Sequence, residues 1–283
     1  MADLITSNTQ LAPTKMDIIT AIVQKELKFM AKLLPYVTDF SVFAGKGAKS
    51  VKIPRLSSFT VIDRASGVPG DASVLTSAVD TLNLDLNAYV AWIIDSSDEI
   101  QTMIESQIEF ARRAAGAHGR YVDEQIILKA EAVGVATVTA GATPTRDIVL
   151  EMRQFIVKND GDLAQSVFLF APEAETALLK IDEFTRNDVY GQPIIPNGVI
   201  GRLYGIPVVI HNGLAAAQYF LCEKNGLGIA FQQAPAMSSQ LANQFGTSAQ
   251  RVAMDQLFGL TGLQLGEKGV GATLSALVAK DNN

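Results

Sequence analysis

Every second residue from Leu82 to Ile94 is apolar: Leu82, Leu84, Leu86, Ala88, Val90, Trp92 and Ile94. The positions between and beside them are mostly polar (Thr81, Asn83, Asp85, Asn87, Asp95). This period-two pattern predicts one half-buried β-strand. Ser96-Ser97-Asp98-Glu99 follows as a capping box, with Ser96 capping and Glu99 reaching back. The spacing then becomes helical to about Ala130, with Ile100, Met103, Ile104, Ile108, Ala111, Ala115, Val122, Ile126 and Ile127 as its apolar series. A strand of about 13 residues spans roughly 43 Å, and a helix of about 34 residues roughly 50 Å. A compact body of this chain length is only about 50 Å across. Each element nearly crosses such a globule, which predicts an elongated subunit that buries surface against neighbours.

Other stretches carry clear but shorter patterns. Residues 1–15 read as a polar arm, and Met16 to Leu34 as a helix with an apolar stripe. Val51 and Ile53 alternate with Lys49 and Lys52, as in a strand with one wet face, and Pro54 keeps that strand at an edge. Together with the loose stretch 62–80 and the strand from Leu82, this reads as a long two-stranded excursion. A lone hairpin is marginal in water and needs a surface to lie on. The small run Ala114-Ala115-Gly116-Ala117-His118-Gly119 predicts close packing or a bend in the long helix, and 132–144 a strand or hinge. Thr145 caps a further helix, Val167–Phe170 is a buried strand, and Pro172 opens a helix to about Ile181. Residues 183–200 form a long polar loop, and Ile206–Ile210 is another buried strand. Tyr219–Cys222 and Gly228–Phe231 read as a hairpin around Lys224-Asn225-Gly226. Gln250 to Val278 reads as strands that rejoin the first region. The alternation after Thr145 predicts an α/β or α+β subdomain.

Composition narrows the function classes. The chain has 283 residues, 48% of them hydrophobic, and a net charge of −6, so it folds around a core and carries no phosphate-gripping basic tail. The single cysteine, Cys222, allows no intrachain disulfide and suits a reducing compartment. No secretory signal and no apolar run of membrane-spanning length are present. Catalytic constellations are also missing. His118 and His211 are the only histidines and have no metal-ligand spacing, so both read as structural or surface residues. Gly45-Lys46-Gly47-Ala48-Lys49-Ser50 lacks the glycines of a phosphate loop and reads as a turn. No nucleophile elbow or dinucleotide fingerprint occurs, and no cofactor or metal is expected. Charge distribution says more. Residues 46–55 carry Lys46, Lys49, Lys52 and Arg55 with no acid, whereas 95–109 carry Asp95, Asp98, Glu99, Glu105 and Glu109 with no base. The two elements either dock on one another, within or between subunits, or are separately solvated faces. Docking of this kind sets register more than affinity. Lys49, Lys52 and Arg55 against Asp98, Glu99 and Glu105 are the candidate inter-subunit contacts.

The order of these segments resembles the major capsid proteins of tailed bacteriophages, with the Hong Kong 97 type fold. Lys49-Ser50-Val51-Lys52-Ile53-Pro54 is similar to the start of that family's extended loop, and Leu82-Asn83-Leu84-Asp85 to its returning strand. Asp95 to Ala130 resembles its spine helix, ending near Asp123-Glu124-x-x-Ile127. Gly201-Arg202-Leu203-Tyr204-Gly205-Ile206-Pro207-Val208-Val209 resembles a turn and strand of its axial domain. The resemblance implies an α+β chain divided into an N-terminal arm and helix (1–44), an extended loop (45–94), a peripheral domain with the spine helix (95–140), an axial domain (141–245) and return strands (246–283). It implies a non-enzymatic coat protein that forms hexamers and pentamers of an icosahedral head around double-stranded DNA, assembled in the host cytoplasm. A separate scaffolding protein, a portal and a decoration protein are the implied partners, with weak non-specific contact to DNA and none to membrane. The alternatives are an encapsulin-type shell around cargo enzymes, and an α/β enzyme with its site on the 183–200 loop.

Overall fold

A computed structural model describes residues 31–56, 77–94, 104–139, 144–178, 199–215, 218–241, 250–263 and 278–282. In chain order the main elements are β1 (Thr38–Asp39), β2 (Ser50–Leu56), β3 (Ser77–Asn83), β4 (Leu86–Ile94), α1 (Ile104–Val133), β5 (Val135–Thr139), α2 (Arg146–Lys158), β6 (Ser166–Phe170), β7 (Val199–Leu203), β8 (Ile206–Ile210), β9 (Tyr219–Glu223), β10 (Leu227–Leu241), β11 (Gln250–Gly262) and β12 (Val278–Asn282). They form a four-stranded sheet ordered β1-β10-β11-β4, a six-stranded sheet ordered β5-β12-β9-β6-β8-β7, and a two-stranded sheet of β2 with β3. The fold is α+β.

β2 and β3 pair antiparallel from Ser50↔Asn83 to Leu56↔Ser77, which is the expected ribbon. Val51 and Leu82 face each other and are buried, while Lys52 and Pro54 are exposed. Among the described residues β3 is the only strand that pairs with β2, so Pro54 does sit on an edge. The single strand expected from Leu82 to Ile94 is in fact two. β3 ends at Asn83; β4 starts at Leu86 and pairs instead with β11, from Leu86↔Phe258 to Ile94↔Gln250. The in–out alternation continues through the gap, with Leu82, Leu84 and Ala88 all buried. The break lies over Gly259, the β11 residue just past the last β4 partner. A Cβ at Gly259 would overlap the Asn83 carbonyl. The chain thus changes sheets by stepping across a residue that has no side chain.

α1 lies on the four-stranded sheet, with Ala111, Ala114 and Ala115 packed near Val90, Trp92 and Met254. Short side chains allow the close approach that the small-residue run predicts. Gly116 does not take part, because a Cβ there meets nothing within 4 Å. Gly116→Ala should therefore raise the unfolding free energy by about 1 kcal/mol. Chemical denaturation of the subunit reads this, and a lowered midpoint would count against it. Further along α1, Val122, Ile126, Ile127 and Ala130 join Leu33, Val37, Phe220 and Phe258 in the core that links the two large sheets. Ser96–Met103, where the helix was expected to begin, lies outside the described residues, as does Met16–Met30 of the N-terminal helix. The latter's expected end is instead a 3-10 turn, Leu34–Tyr36, with Pro35 at its start.

The six-stranded sheet is built on β6, buried along its whole length. α2 begins at Thr145, whose Oγ accepts from the Ile148 N–H, and it buries Val149, Met152 and Ile156 against Phe168, Phe170 and Leu221. β7 and β8 form a hairpin through Tyr204-Gly205, both at positive φ (52° and 84°), as a two-residue primed turn requires. Val199 and Ile200, assigned to the 183–200 loop from sequence, are already strand; the rest of that loop is outside the described residues. So is the end of the Pro172 helix, of which Pro172–Leu178 is seen as two short helical turns. The stretch 132–144 contains a strand, β5.

The hairpin expected around Lys224-Asn225-Gly226 does not form. β9 is already flanked by β6 and β12, and the start of β10 by β11 and, at Gly228 and Ile229, by β1, so the two strands do not pair across the turn. A 3-10 turn at Lys224–Gly226 instead carries the chain from one large sheet to the other. The tail divides in the same way: β11 rejoins the first region beside β4, whereas β12 enters the second sheet between β5 and β9.

Candidate functional site

The basic ribbon is fastened to the body at its base. Gly45–Ala48 is a turn closed by the Ala48 N–H on the Gly45 carbonyl at 3.1 Å, with Gly47 at φ 86°. The Gln232 side-chain amide on β10 donates to the carbonyls of both Gly45 (2.8 Å) and Ala48 (2.9 Å). The segment is a structural turn, as its sequence implied. Ala44, Val51, Leu82, Leu84 and Ala230 make a small core beneath it. Lys49 and Lys52 are exposed on the ribbon. Arg55 follows on the same strand, with its side chain outside the described residues. Of the acidic partners expected, Asp98 and Glu99 lie outside the described residues, and Glu105 is placed only by its backbone in the first turn of α1.

A second site went unrecognised in the sequence. Asp123 is 1% exposed on the inner face of α1. Its Oδ1 accepts the Leu33 N–H at 3.1 Å, and its Oδ2 accepts the Lys32 N–H at 3.0 Å. His211, in the turn after β8, approaches Oδ2 through Nε2 at 3.2 Å. The Gly213 N–H donates to His211 Nδ1 at 3.0 Å, so the ring proton sits on Nε2 and points at the carboxylate. One buried acid thus joins the N-terminal segment, the long helix and the six-stranded sheet. The visible signal was an aspartate beside Val122 on the apolar side of the helix.

Among the described residues no group of three His, Cys, Asp or Glu is placed to hold a metal, and no helix is long and apolar enough to cross a membrane. Burial pushes the Cys222 thiol up to about 12, which leaves it an inert core residue. Burial also raises Glu223 above the usual carboxylate range. His118, buried, shares a 3.1 Å hydrogen bond with Gln256 on β11. Burial holds its ring below the ordinary imidazole range, and the bond to Gln256 works the other way. With the folded-state pKa depressed, the unfolded chain takes up the proton first. Stability should therefore be full at neutral pH and fall as the pH drops below about 6.5. His118→Gln should weaken this acid sensitivity in denaturation series from about pH 7.5 to about pH 5.5. Equal acid shifts in both proteins would assign the sensitivity elsewhere.

A two-stranded ribbon, a long helix lying on a four-stranded sheet and a second mixed sheet make up the Hong Kong 97 type fold. A chain from Mycobacterium phage Che8 has a TM-score of 0.67 at 19% identity, covering 87% of this chain and 89% of that one. A chain from the capsid structure of Cyanophage P-SCSP1u has a TM-score of 0.66 at 11% identity, covering 87% and 85%. One from the asymmetric unit of the bacteriophage PhiM1 mature capsid has 0.63 at 14%, with the same coverage. No curated protein sequence matches significantly. Residues 30–234 match the phage capsid protein family, and the chain belongs to that family. Its role is that of a major capsid protein, a structural component of the virion, and this family favours a phage coat over a cargo-enclosing shell or an α/β enzyme.

Proposed function

We propose that copies of this chain assemble into the hexamers and pentamers of an icosahedral head around double-stranded DNA. The observation that carries this reading is the β2–β3 ribbon. Among the described residues it forms a sheet of its own, buried at its Val51–Leu82 base, and it leaves Lys52, Pro54 and Val79 exposed beyond that base. A two-stranded ribbon of this kind gains a stable surface only when something covers it. In the assembled head, the ribbon lies over an adjacent subunit, and Lys49, Lys52 and Arg55 meet Asp98, Glu99 and Glu105 of that neighbour. The segment 45–94 then acts as an extended loop, 95–140 as a peripheral domain and 141–245 as an axial domain, with 1–44 as an arm and 246–283 as return strands. Assembly in the host cytoplasm with a separate scaffolding protein, a portal and a decoration protein completes the scheme. A net charge of −6 fits an inner wall that contains DNA without gripping it.

Each exposed pair contributes under about 1 kcal/mol, so the layout chiefly sets register. The double variant K49E/K52E should lower the yield of closed particles at least about tenfold, since every copy in a shell carries the fault. Adding D98K/E99K should restore part of it. Normal particles from K49E/K52E, counted by negative-stain microscopy, would overturn the docking. A chain that stays monomeric at high concentration would overturn the shell itself.

A further inference from the structure

The turn that carries the clasp histidine also carries an Asn-Gly pair, Asn212-Gly213. Both residues are exposed, while His211 before them is half-buried. The turn is fixed at its start and its end. The His211 N–H donates to the Phe170 carbonyl on β6 at 3.1 Å, and the Leu214 N–H donates back to the His211 carbonyl at 3.3 Å. The His211 ring is fixed as well. Its Nε2–H points at Asp123 Oδ2 at 3.2 Å, and its Nδ1 accepts the Gly213 N–H at 3.0 Å. A Cβ at Gly213 would come within 3.0 Å of His211 Cε1 and Nδ1, so the lack of a side chain is what lets the ring lie this close.

Carboxylate, imidazole and N–H proton therefore stand in series. The carboxylate holds the ring in the tautomer whose Nδ1 lone pair faces the proton, which is the arrangement of a general base with its orienting acid. The proton belongs to the nitrogen that follows an asparagine. That nitrogen can close a five-membered ring on the asparagine's own side chain, and a following glycine leaves it unshielded.

We propose that Asn212 is a site of self-catalysed deamidation, with His211 as the base and Asp123 as its positioning residue. The Gly213 nitrogen attacks Asn212 Cγ, and its proton passes to His211 Nδ1. The bond from Cγ to the side-chain nitrogen then breaks, and that nitrogen takes the proton from His211 and leaves as ammonia. One water opens the resulting succinimide to aspartate or isoaspartate. Either product adds a negative charge to the turn beside the clasp, and isoaspartate also adds a carbon to its backbone.

Asn225-Gly226 shows what an Asn-Gly pair without this arrangement looks like. Gly226 is buried, and the Asn225 carboxamide accepts from Thr38 Oγ at 3.3 Å and donates to Glu223 Oε1 at 3.5 Å. A side chain held at both ends is not free to meet the next nitrogen. The inference concerns the single chain and does not depend on the shell reading.

The test follows the whole chain in solution near neutral pH. Peptide mapping by mass spectrometry, in water labelled with heavy oxygen, counts conversion at Asn212 and separates aspartate from isoaspartate. The same chain unfolded in urea is the comparison, because it keeps the sequence and loses the geometry. Asn212 should convert at least about five times faster in the folded chain than in urea, since a positioned base contributes about a hundredfold or more. His211→Gln retains an acceptor for the Gly213 N–H but no base. Folded H211Q should lose that excess at Asn212 and leave the rate at Asn197-Gly198 unchanged. Conversion of Asn212 no faster in the folded chain than in urea would overturn the inference, whether or not H211Q folds. A folded H211Q that converts Asn212 at the native rate would overturn it too.

Discussion

Gly259→Ala should destabilise the subunit by about 3 kcal/mol and remove most particle formation. The added Cβ would enter the space of the Asn83 carbonyl and come within 2.9 Å of a Leu82 methyl. A side-chain tip can rotate away, but a backbone carbonyl cannot. Leu82 and Asn83 are held in the ladder to β2 through Val51 and Ser50, and the Leu84 N–H is bonded to the Lys49 carbonyl at 3.0 Å. On the other side, β11 is confined between β10 and β4. Relief therefore requires the ribbon to lift at its base, which opens the cluster of Val51, Leu82, Leu84 and Ala230. Gly45→Ala is the matched control, since a Cβ there meets nothing within 4 Å. Denaturation midpoints and particle counts for the two variants give the comparison. Equal behaviour would mean that the crossing over β11 is looser than described.

Asp123→Ala should cost about 3 kcal/mol, with its effect concentrated on residues 31–37. Removing the carboxylate leaves the Lys32 and Leu33 N–H groups and His211 Nε2 without an acceptor. A buried donor without a partner costs about 1–3 kcal/mol, and Leu33 is 1% exposed. The segment is expected to leave the helix before the rest of the subunit unfolds. Amide exchange at 31–37 should accelerate while β6 and β9 remain protected, and limited proteolysis should gain a cut near Lys32. Asp123→Asn, which keeps one acceptor oxygen, should lie between. Uniform acceleration across all strands would make Asp123 a general core residue rather than a clasp.

Much of the architecture was legible because it is written in local periodicity. The ribbon followed from alternation around Val51 and Ile53, the long helix from its apolar series, and the cap of α2 from Thr145. The errors share one cause. Leu82–Ile94 looks like one strand because alternation describes which face is buried, not which partner is paired. Tyr219–Phe231 looks like a hairpin because a short polar interval between apolar strands is compatible with reversal, yet here both strands have other neighbours on each side. The Asp123 clasp joins residues about 90 positions apart in the chain, beyond the reach of any local pattern.

The amino-acid pattern by itself determined which segments are strands and helices, which faces are apolar, and that charge is segregated between a basic ribbon and an acidic helix start. These follow from side-chain spacing and composition, which act over a few residues. Only the tertiary structure decided where the chain changes sheets and why Gly259 must lack a side chain. It also decided which acid is buried as a clasp and which apolar residues remain outside. Those outcomes depend on backbone groups and partners far apart in sequence, and folding alone brings them within reach of one another.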